Sequence, residues 1–194
     1  NSTIVTRNRL EETISLLGEA GAEGIILVAH SMGAYLTVET LHQMSLRNPG
    51  SVARRLSGVI LIAPDIDVDA FNTLMKSVDP LPELFAIVIS RKDNALSVSA
   101  RVSGRSDRLG NIDDVEKITV EGVTVFDVTE FSSGLGHLTA VTSPTLISLF
   151  SQMVQVTETY EAGLDGQLDL LSNAAITVNN VTEYILSGTE AIAN

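Results

Sequence analysis

The sequence of 194 residues contains no cysteine. This absence excludes disulfide bonds, a cysteine nucleophile and thiolate metal sites, but it leaves the compartment open, because cysteine-free proteins occur on both sides of a membrane. Also lacking are a secretory signal at the start and any apolar run approaching the ~18 residues needed to cross a bilayer. We therefore expect a soluble domain without a transmembrane segment, either cytoplasmic or exported after removal of a signal.

Positive charge is scarce as well. Lysine and arginine together number 12 against 24 aspartate and glutamate residues, which gives a formal net charge of −12. A protein this acidic is repelled by nucleic acids and by anionic membrane surfaces, so we expect no nucleic-acid partner. Residues 91–108 are the exception, with five basic and two acidic residues. We interpret this stretch as a solvated helix face rather than as a site for an anionic substrate.

What the sequence does contain is the alternation typical of an α/β domain. Hydrophobic residues make up 44% of the chain, and short apolar runs at 24–29, 58–63, 84–89 and 123–128 alternate with helical patterns. A further helical pattern, with Leu10, Ile14 and Leu17 on one face, precedes the first run. We predict one α/β core over residues 1–157, with a mostly parallel sheet and flanking helices. Residues 158–194, which have no clean period, form a carboxy-terminal extension of open role.

The pattern around Ser31 is typical of a nucleophile elbow. Ser31 follows the apolar run 24–29 directly, and apolar residues then recur at helical spacing over residues 34–45. Strand and helix backbones approach closely in such a turn, so the positions two before and two after the serine, Ala29 and Gly33, are expected to be small. The alternative is a serine that only caps the helix. A histidine and an acid are needed to decide between the two.

The chain has three histidines, and only His137 lies in a suitable place. It follows the strand-like run 123–128 in a glycine-rich loop, where an α/β sheet positions its functional groups. His30 adjoins Ser31 and points to the other side of the strand end, and His42 lies within a helix, facing solvent or a satisfied pocket. Because the three show no metal-ligand spacing with neighbouring acids, we expect no metal site and no cofactor.

Two aspartates follow predicted strands and compete for the role of the acid. Asp93 comes after the run 84–89, and Asp65 after the run 58–63. We favour Asp93 as the residue that accepts the ring N–H of His137 and stabilises the imidazolium, with Asp65 as the alternative acid. The purely structural alternatives are a helix cap for Asp93 and a turn or cap for Asp65.

The order serine, aspartate, histidine is that of the α/β-hydrolase fold. The chain resembles bacterial α/β-hydrolases of the esterase/lipase-like superfamily, most of which are described as proteins of unknown function. The resemblance covers about residues 5–150 and rests on residues 27–33 (LVAHSMG), 59–67 (VILIAPDID), 90–96 (SRKDNAL) and 136–137 (GH). It implies Ser31 as nucleophile, His137 as base and Asp93 as acid, with Asp65 also at a family motif position.

Compared with that fold, the chain is expected to lack an amino-terminal part. An α/β-hydrolase sheet normally has about four strands before the nucleophile strand, whereas here one helical segment precedes residue 24. The oxyanion hole takes the N–H of Met32, the residue after the nucleophile, and a second N–H from the absent part. The nucleophile strand should also be central in the sheet. We therefore predict that a further segment or a companion chain covers its open edge.

The resulting hypothesis is a serine hydrolase that cleaves a small-molecule carboxylic ester through an acyl-enzyme on Ser31. Amide or thioester cleavage would use the same residues, because specificity depends on the walls of the pocket. The alternative is a noncatalytic α/β-hydrolase-like module used for binding or assembly. An incomplete oxyanion hole and the unexplained extension would favour that alternative.

Overall fold

The computed structural model describes residues 2–93, 95–98, 107–131, 172–178 and 181–186. Its helices are α1 (Ser2–Glu19), α2 (Met32–Arg47), α3 (Ser51–Arg55) and α4 (Val68–Met75). Its strands are β1 (Ile26–His30), β2 (Gly58–Ile62), β3 (Leu84–Ile89), β4 (Thr124–Asp127), β5 (Ser172–Val178) and β6 (Val181–Leu186). None of the helices in these ranges is long and apolar enough to cross a membrane.

The six strands form one sheet in the order β1-β2-β3-β4-β6-β5. Five of them are parallel, and β5 pairs antiparallel with β6 at one edge. The predicted α/β fold with a mostly parallel sheet is therefore confirmed. All four apolar runs recognised in the sequence form strands within one or two residues of the predicted bounds.

The two faces of the sheet bury alternate residues of the central strands, as the pleat requires. One face carries Val59 and Leu61 of β2 and packs against α1, α2, α3 and α4. The other carries Ile60 and Ile62 and packs against Leu96, among others. Every residue of β2 and of β3 is buried. Burial on both faces explains why these strands are continuous apolar runs rather than alternating ones.

Helix α2 packs on the sheet through the stripe that the spacing predicts. Its buried residues include Ala34, Val38, Leu41 and Ser45. In α1 the predicted face is only partly right, because Ile14 is buried whereas Leu17 is exposed. The apolar contact of α1 thus ends before its last turn.

Strand β1 lies at the edge of the sheet and, within the described ranges, pairs only with β2. Its side chains are correspondingly less buried than those of β2, and Val28 is 54% exposed. Met32, just beyond the strand, is 62% exposed. In the part of the chain that the structure describes, the strand that leads to the candidate nucleophile therefore has an open apolar flank.

The polar end of the sheet is formed by the loops that follow β1, β2 and β3. Because these strands are parallel and neighbouring, their carboxyl ends lie at the same end of the sheet. Ser31, Asp65 and Asp93 are therefore all at that end. The hairpin of β5 and β6 extends the same sheet on the far side of β4.

Candidate active site

Ser31 has a strained backbone. It lies between β1 and α2 with φ 54° and ψ −124°, a conformation that a residue with a Cβ rarely adopts. Its N–H donates to the Ile62 carbonyl at 3.0 Å, and its own carbonyl accepts from Ala34 at 3.0 Å and from Asp65 at 3.3 Å. Such strain costs about 1–3 kcal/mol and persists only where surrounding contacts impose it. The strand, tight turn and helix expected around this serine are all present.

The steric reason for glycine at position 33 is not found in the structure. A Cβ at Gly33 would meet no heavy atom of the described residues within 4 Å, and the residue is exposed. The close approach expected at this position is therefore wrong for the part of the chain that the structure describes. The unusual backbone conformation of this turn is that of Ser31, which has a positive φ.

Met32 is the first residue of α2. The first N–H groups of a helix have no acceptor inside the helix, and the helix dipole gives this end a partial positive charge. The Met32 N–H thus follows the strained serine at the positive end of a 16-residue helix. This is the backbone arrangement needed to stabilise a negative charge that develops next to Ser31.

Asp65 follows β2 and lies beside the elbow. Its N–H donates to the Ser31 carbonyl at 3.3 Å, and its carboxylate forms an ion pair with Arg108, with 3.2 Å between Oδ1 and Nε. Both side chains are largely buried. The negative charge of Asp65 is therefore compensated by a guanidinium that the sequence did not single out.

Asp93 follows β3 and is fully buried. Its Oδ1 accepts the Leu96 N–H at 3.1 Å, so it caps the helical turn at 95–98, as the structural alternative proposed. Its own N–H donates to the Ser90 carbonyl at 3.0 Å. A carboxylate has two oxygens and several lone pairs, so capping through Oδ1 is compatible with a further hydrogen bond to an imidazole.

Gly110 joins the loops that carry the two aspartates. Its N–H donates to the Pro64 carbonyl at 3.0 Å, and its carbonyl accepts from Ser90 at 2.9 Å. A Cβ at this position would lie 2.6 Å from the carbonyl carbon of Ala63, so only glycine allows the approach. Ala63 itself has a strained φ of 43°. A continuous set of backbone hydrogen bonds thus links the elbow, the Asp65 loop and the Asp93 loop.

A family model described as "Alpha/beta hydrolase of unknown function (DUF900)" matches residues 1–156. The chain belongs to this alpha/beta hydrolase family. The matched segment includes Ser31, Asp65, Asp93 and His137. No match was found among curated proteins or among solved structures.

The structure of this alpha/beta hydrolase describes two of the three histidines, His30 and His42. His30 is the last residue of β1 and adjoins the elbow. His42 is remote from it: its Nδ1 lies 3.0 Å from the Leu74 carbonyl and 2.7 Å from the Ser77 hydroxyl oxygen. The satisfied environment predicted for His42 is therefore confirmed. His137, the predicted base, lies outside the described residues.

Two arginines at the active-site end of the hydrolase sheet were misjudged from the sequence. Arg108 pairs with Asp65, and Arg91 pairs with Asp127 and Glu183. The interpretation of residues 91–108 as a solvated helix face is wrong for these two arginines. A basic residue two positions after a buried strand is the one signal that could have identified Arg91. In the described ranges no group of three or more histidine, aspartate or glutamate residues could hold a metal ion.

Proposed function

We propose that this alpha/beta hydrolase is a serine esterase that cleaves a small-molecule carboxylic ester through an acyl-enzyme on Ser31. His137 is the general base and Asp93 the acid that orients it. The observation that carries the proposal is the strained Ser31 backbone, φ 54° and ψ −124°, between a parallel strand and a helix. A serine held in this way presents its hydroxyl at the top of the sheet, which is the geometry that nucleophilic attack requires.

The reaction proceeds in two halves. The Ser31 oxygen attacks the ester carbonyl while its proton passes to His137, whose imidazolium is stabilised by Asp93. The tetrahedral intermediate collapses as the imidazolium returns the proton to the leaving alcohol, and an acyl-serine ester remains. Water, deprotonated by His137, then releases the acid and restores Ser31. The chemistry needs no cofactor.

The Met32 N–H is the first oxyanion donor in this proposal, because it opens α2 directly after the nucleophile. Loss of one such donor costs roughly 100- to 1,000-fold in turnover, so a second donor is expected. It comes from the open side of β1, supplied by a further segment or by a companion chain that pairs with that edge. The exposure of Val28 and Met32 supports this, because an apolar strand edge in water is unfavourable.

Asp93 is a better acid for the triad than Asp65, for an electrostatic reason. Asp65 already faces the Arg108 guanidinium at 3.2 Å, which offsets the field that its carboxylate could exert on an imidazolium. Asp93 is fully buried, and charges interact more strongly where water is excluded. Both residues follow neighbouring strands, so position alone does not distinguish them.

The first experiment is the intact mass of the protein after treatment with a fluorophosphonate probe. We expect one adduct on the wild type and none on Ser31→Ala, because only an activated serine displaces fluoride from the probe. His137→Ala should also remain unlabelled. If a folded wild-type sample, tested together with any chain that copurifies, gives no adduct, the esterase proposal fails. A noncatalytic binding module then becomes the better explanation.

The two aspartates are compared by matched amide substitutions. Asp93→Asn should slow labelling and hydrolysis of p-nitrophenyl acetate by a factor on the order of 10⁴, because the imidazole then takes the wrong tautomer. Asp65→Asn should retain most of the rate, because it leaves the triad intact. If Asp65→Asn gives the larger loss, the assignment of the acid is reversed.

A further inference from the structure

The loop after β3 contains Arg91, two residues before Asp93. We call its contacts with Asp127 and Glu183 the clamp. The Arg91 Nε donates to Asp127 Oδ2 at 2.8 Å, and its Nη2 donates to Glu183 Oε1 at 2.6 Å. The remaining Nη1 donates to the Asp113 carbonyl at 2.6 Å. One guanidinium thus binds two carboxylates and a loop carbonyl, which uses the planar fork that lysine lacks.

The backbone of Arg91 is held by the same group of residues. Its N–H donates to the Thr129 hydroxyl oxygen at 2.9 Å. Thr129 in turn donates to Asp127 Oδ1, through its N–H at 2.9 Å and through its hydroxyl. Asp127, at the end of β4, therefore holds the side chain of Arg91 directly and its backbone through Thr129. This closed ring of hydrogen bonds leaves the loop little freedom to shift.

The two buried carboxylates of the clamp require a positively charged partner, and Arg91 is that partner. The side chains of Asp127 and Glu183 are each only 5% exposed, so either carboxylate would be costly without a partner. Desolvation lowers the pKa of Arg91, but the hydrogen bond to Asp127 and the charges of both carboxylates raise it above its ordinary value. The two carboxylates therefore favour the charged form of Arg91.

A short stretch of backbone, residues 90–93, connects Arg91 to Asp93. Ser90, before Arg91, donates to the Gly110 carbonyl at 2.9 Å, and the Asp93 N–H donates back to the Ser90 carbonyl at 3.0 Å. The turn is thus fixed by Gly110 on one side and by the clamp on the other. Asp93 itself is fully buried, so its position follows that of the turn.

Glu183 brings a distant part of the chain into this arrangement. It belongs to β6, which pairs in parallel with β4, and Glu183 lies opposite Val125. It is 92 residues away from Arg91 in sequence and outside the family match at residues 1–156. The carboxy-terminal hairpin thus contributes a buried charge to the loop that carries the triad acid.

We propose that Arg91 is a positioning residue for Asp93, and that Glu183 extends this support from the carboxy-terminal hairpin to the active site. The inference rests on the proposed function, because it assigns Arg91 a role through the triad acid. In this proposal, residues beyond the family-matched segment extend the sheet and also support the reaction.

The test is the rate of fluorophosphonate labelling of Ser31 in the full chain, with p-nitrophenyl acetate hydrolysis as a second measure. Arg91→Lys keeps the charge but cannot bridge both carboxylates, and Glu183→Gln keeps the size of the side chain. Both should react roughly ten- to a hundredfold more slowly, the loss typical of a misplaced catalytic group. Lys92→Met is the matched control, because Lys92 is the exposed neighbour in the same loop, and it should react like the wild type.

The Asp93→Asn background distinguishes positioning from a general structural role. If Arg91 acts through Asp93, then Arg91→Lys should cause no further loss in that background, whereas a structural defect would lower the rate again by the same factor. Thr129→Val is a milder substitution that removes the acceptor for the Arg91 N–H and the hydroxyl donor to Asp127, but it leaves both ion pairs of Arg91 in place. It should slow labelling by a smaller factor, and with Glu183→Gln it keeps the test valid if Arg91→Lys does not fold.

The outcomes separate the two proposals. No labelling of the wild type would overturn the proposed function and the clamp together. Normal labelling of the wild type, with wild-type rates in folded Arg91→Lys and Glu183→Gln, would overturn only the role of the clamp. So would an undiminished effect of Arg91→Lys in the Asp93→Asn protein.

Discussion

Relief of the strain at Ser31 should stabilise the protein while abolishing the proposed esterase activity. The backbone at φ 54° and ψ −124° is readily accessible to glycine but costly for a residue with a Cβ. Ser31→Gly should therefore recover most of the ~1–3 kcal/mol stored there. The greater freedom of glycine in the unfolded chain offsets about 0.4–1 kcal/mol. The net gain should be about 1–2 kcal/mol.

The matched control is Ser31→Ala, which removes the same hydroxyl but keeps the Cβ and its strain. In a chain of this length each kcal/mol raises the melting temperature by about 2–4 °C. Ser31→Gly should therefore melt about 2–8 °C above Ser31→Ala, measured by circular dichroism or calorimetry at one protein concentration. Both variants should fail to react with a fluorophosphonate. A Ser31→Gly protein that melts at or below Ser31→Ala would show that the turn is not strained, and the principal support for the esterase proposal would be lost.

Two further predictions concern the packing of the loops and the partly buried hydroxyl of Tyr35. Gly110→Ala should reduce the free energy of unfolding in urea by about 1–3 kcal/mol, because its Cβ would lie 2.6 Å from both the Ala63 carbonyl carbon and Leu96 Cδ1. Gly18→Ala is its control: it meets no described atom within 4 Å and should be neutral or stabilising by up to about 1 kcal/mol. Equal effects of the two substitutions would contradict the close approach at Gly110. Burial, the hydrogen bond to Glu39 and the charge of Glu39 raise the pKa of Tyr35 above its ordinary 10.0, and Arg7 lowers it by less. The stabilisation linked to protonated Tyr35 is therefore complete below pH 10.0 and is lost as the pH rises through the folded-state pKa. Tyrosinate absorbance, compared with Tyr35→Phe, should show a late-titrating group that Glu39→Gln shifts to lower pH; titration of Tyr35 at or below the ordinary value would refute this.

Among the described residues, β1 has one unpaired edge, and both the second oxyanion donor and the covering segment are proposed to lie there. The strand that leads to Ser31 is only partly buried, whereas β2 and β3 are buried throughout. A donor contributed from that side would complete the oxyanion hole and cover Val28 at the same time. The esterase proposal and the expected partner segment are thus linked through one surface, and the mass of any chain that copurifies tests both.

Features that depend on local pattern were predictable from the sequence alone. A short apolar run rich in branched residues between polar turns favours a buried strand, because it is too short for a typical helix; β3 was therefore predicted with the bounds observed, residues 84–89. The helical spacing after Gly33 likewise identified the buried stripe of α2. The parallel order of the strands then brought Ser31, Asp65 and Asp93 to one edge, because each follows a strand of the same sheet.

Features that depend on contacts between distant residues emerged only from the tertiary structure. The backbone of Ser31 is held by hydrogen bonds with Ile62, the last residue of β2, and with Asp65 in the loop that follows. The charge of Asp65 is balanced by Arg108, 43 positions further along the chain. The pairing of Arg91 with Glu183 needs the hairpin of β5 and β6, whose sequence has no clean period. The local hydrophobic pattern indicates which residues are buried. That information was enough to predict the strands, the helices and the position of the candidate serine. Which charges meet, which glycine must stay small and which turn is strained depend on packing between segments far apart in sequence, and only the folded chain determines that packing.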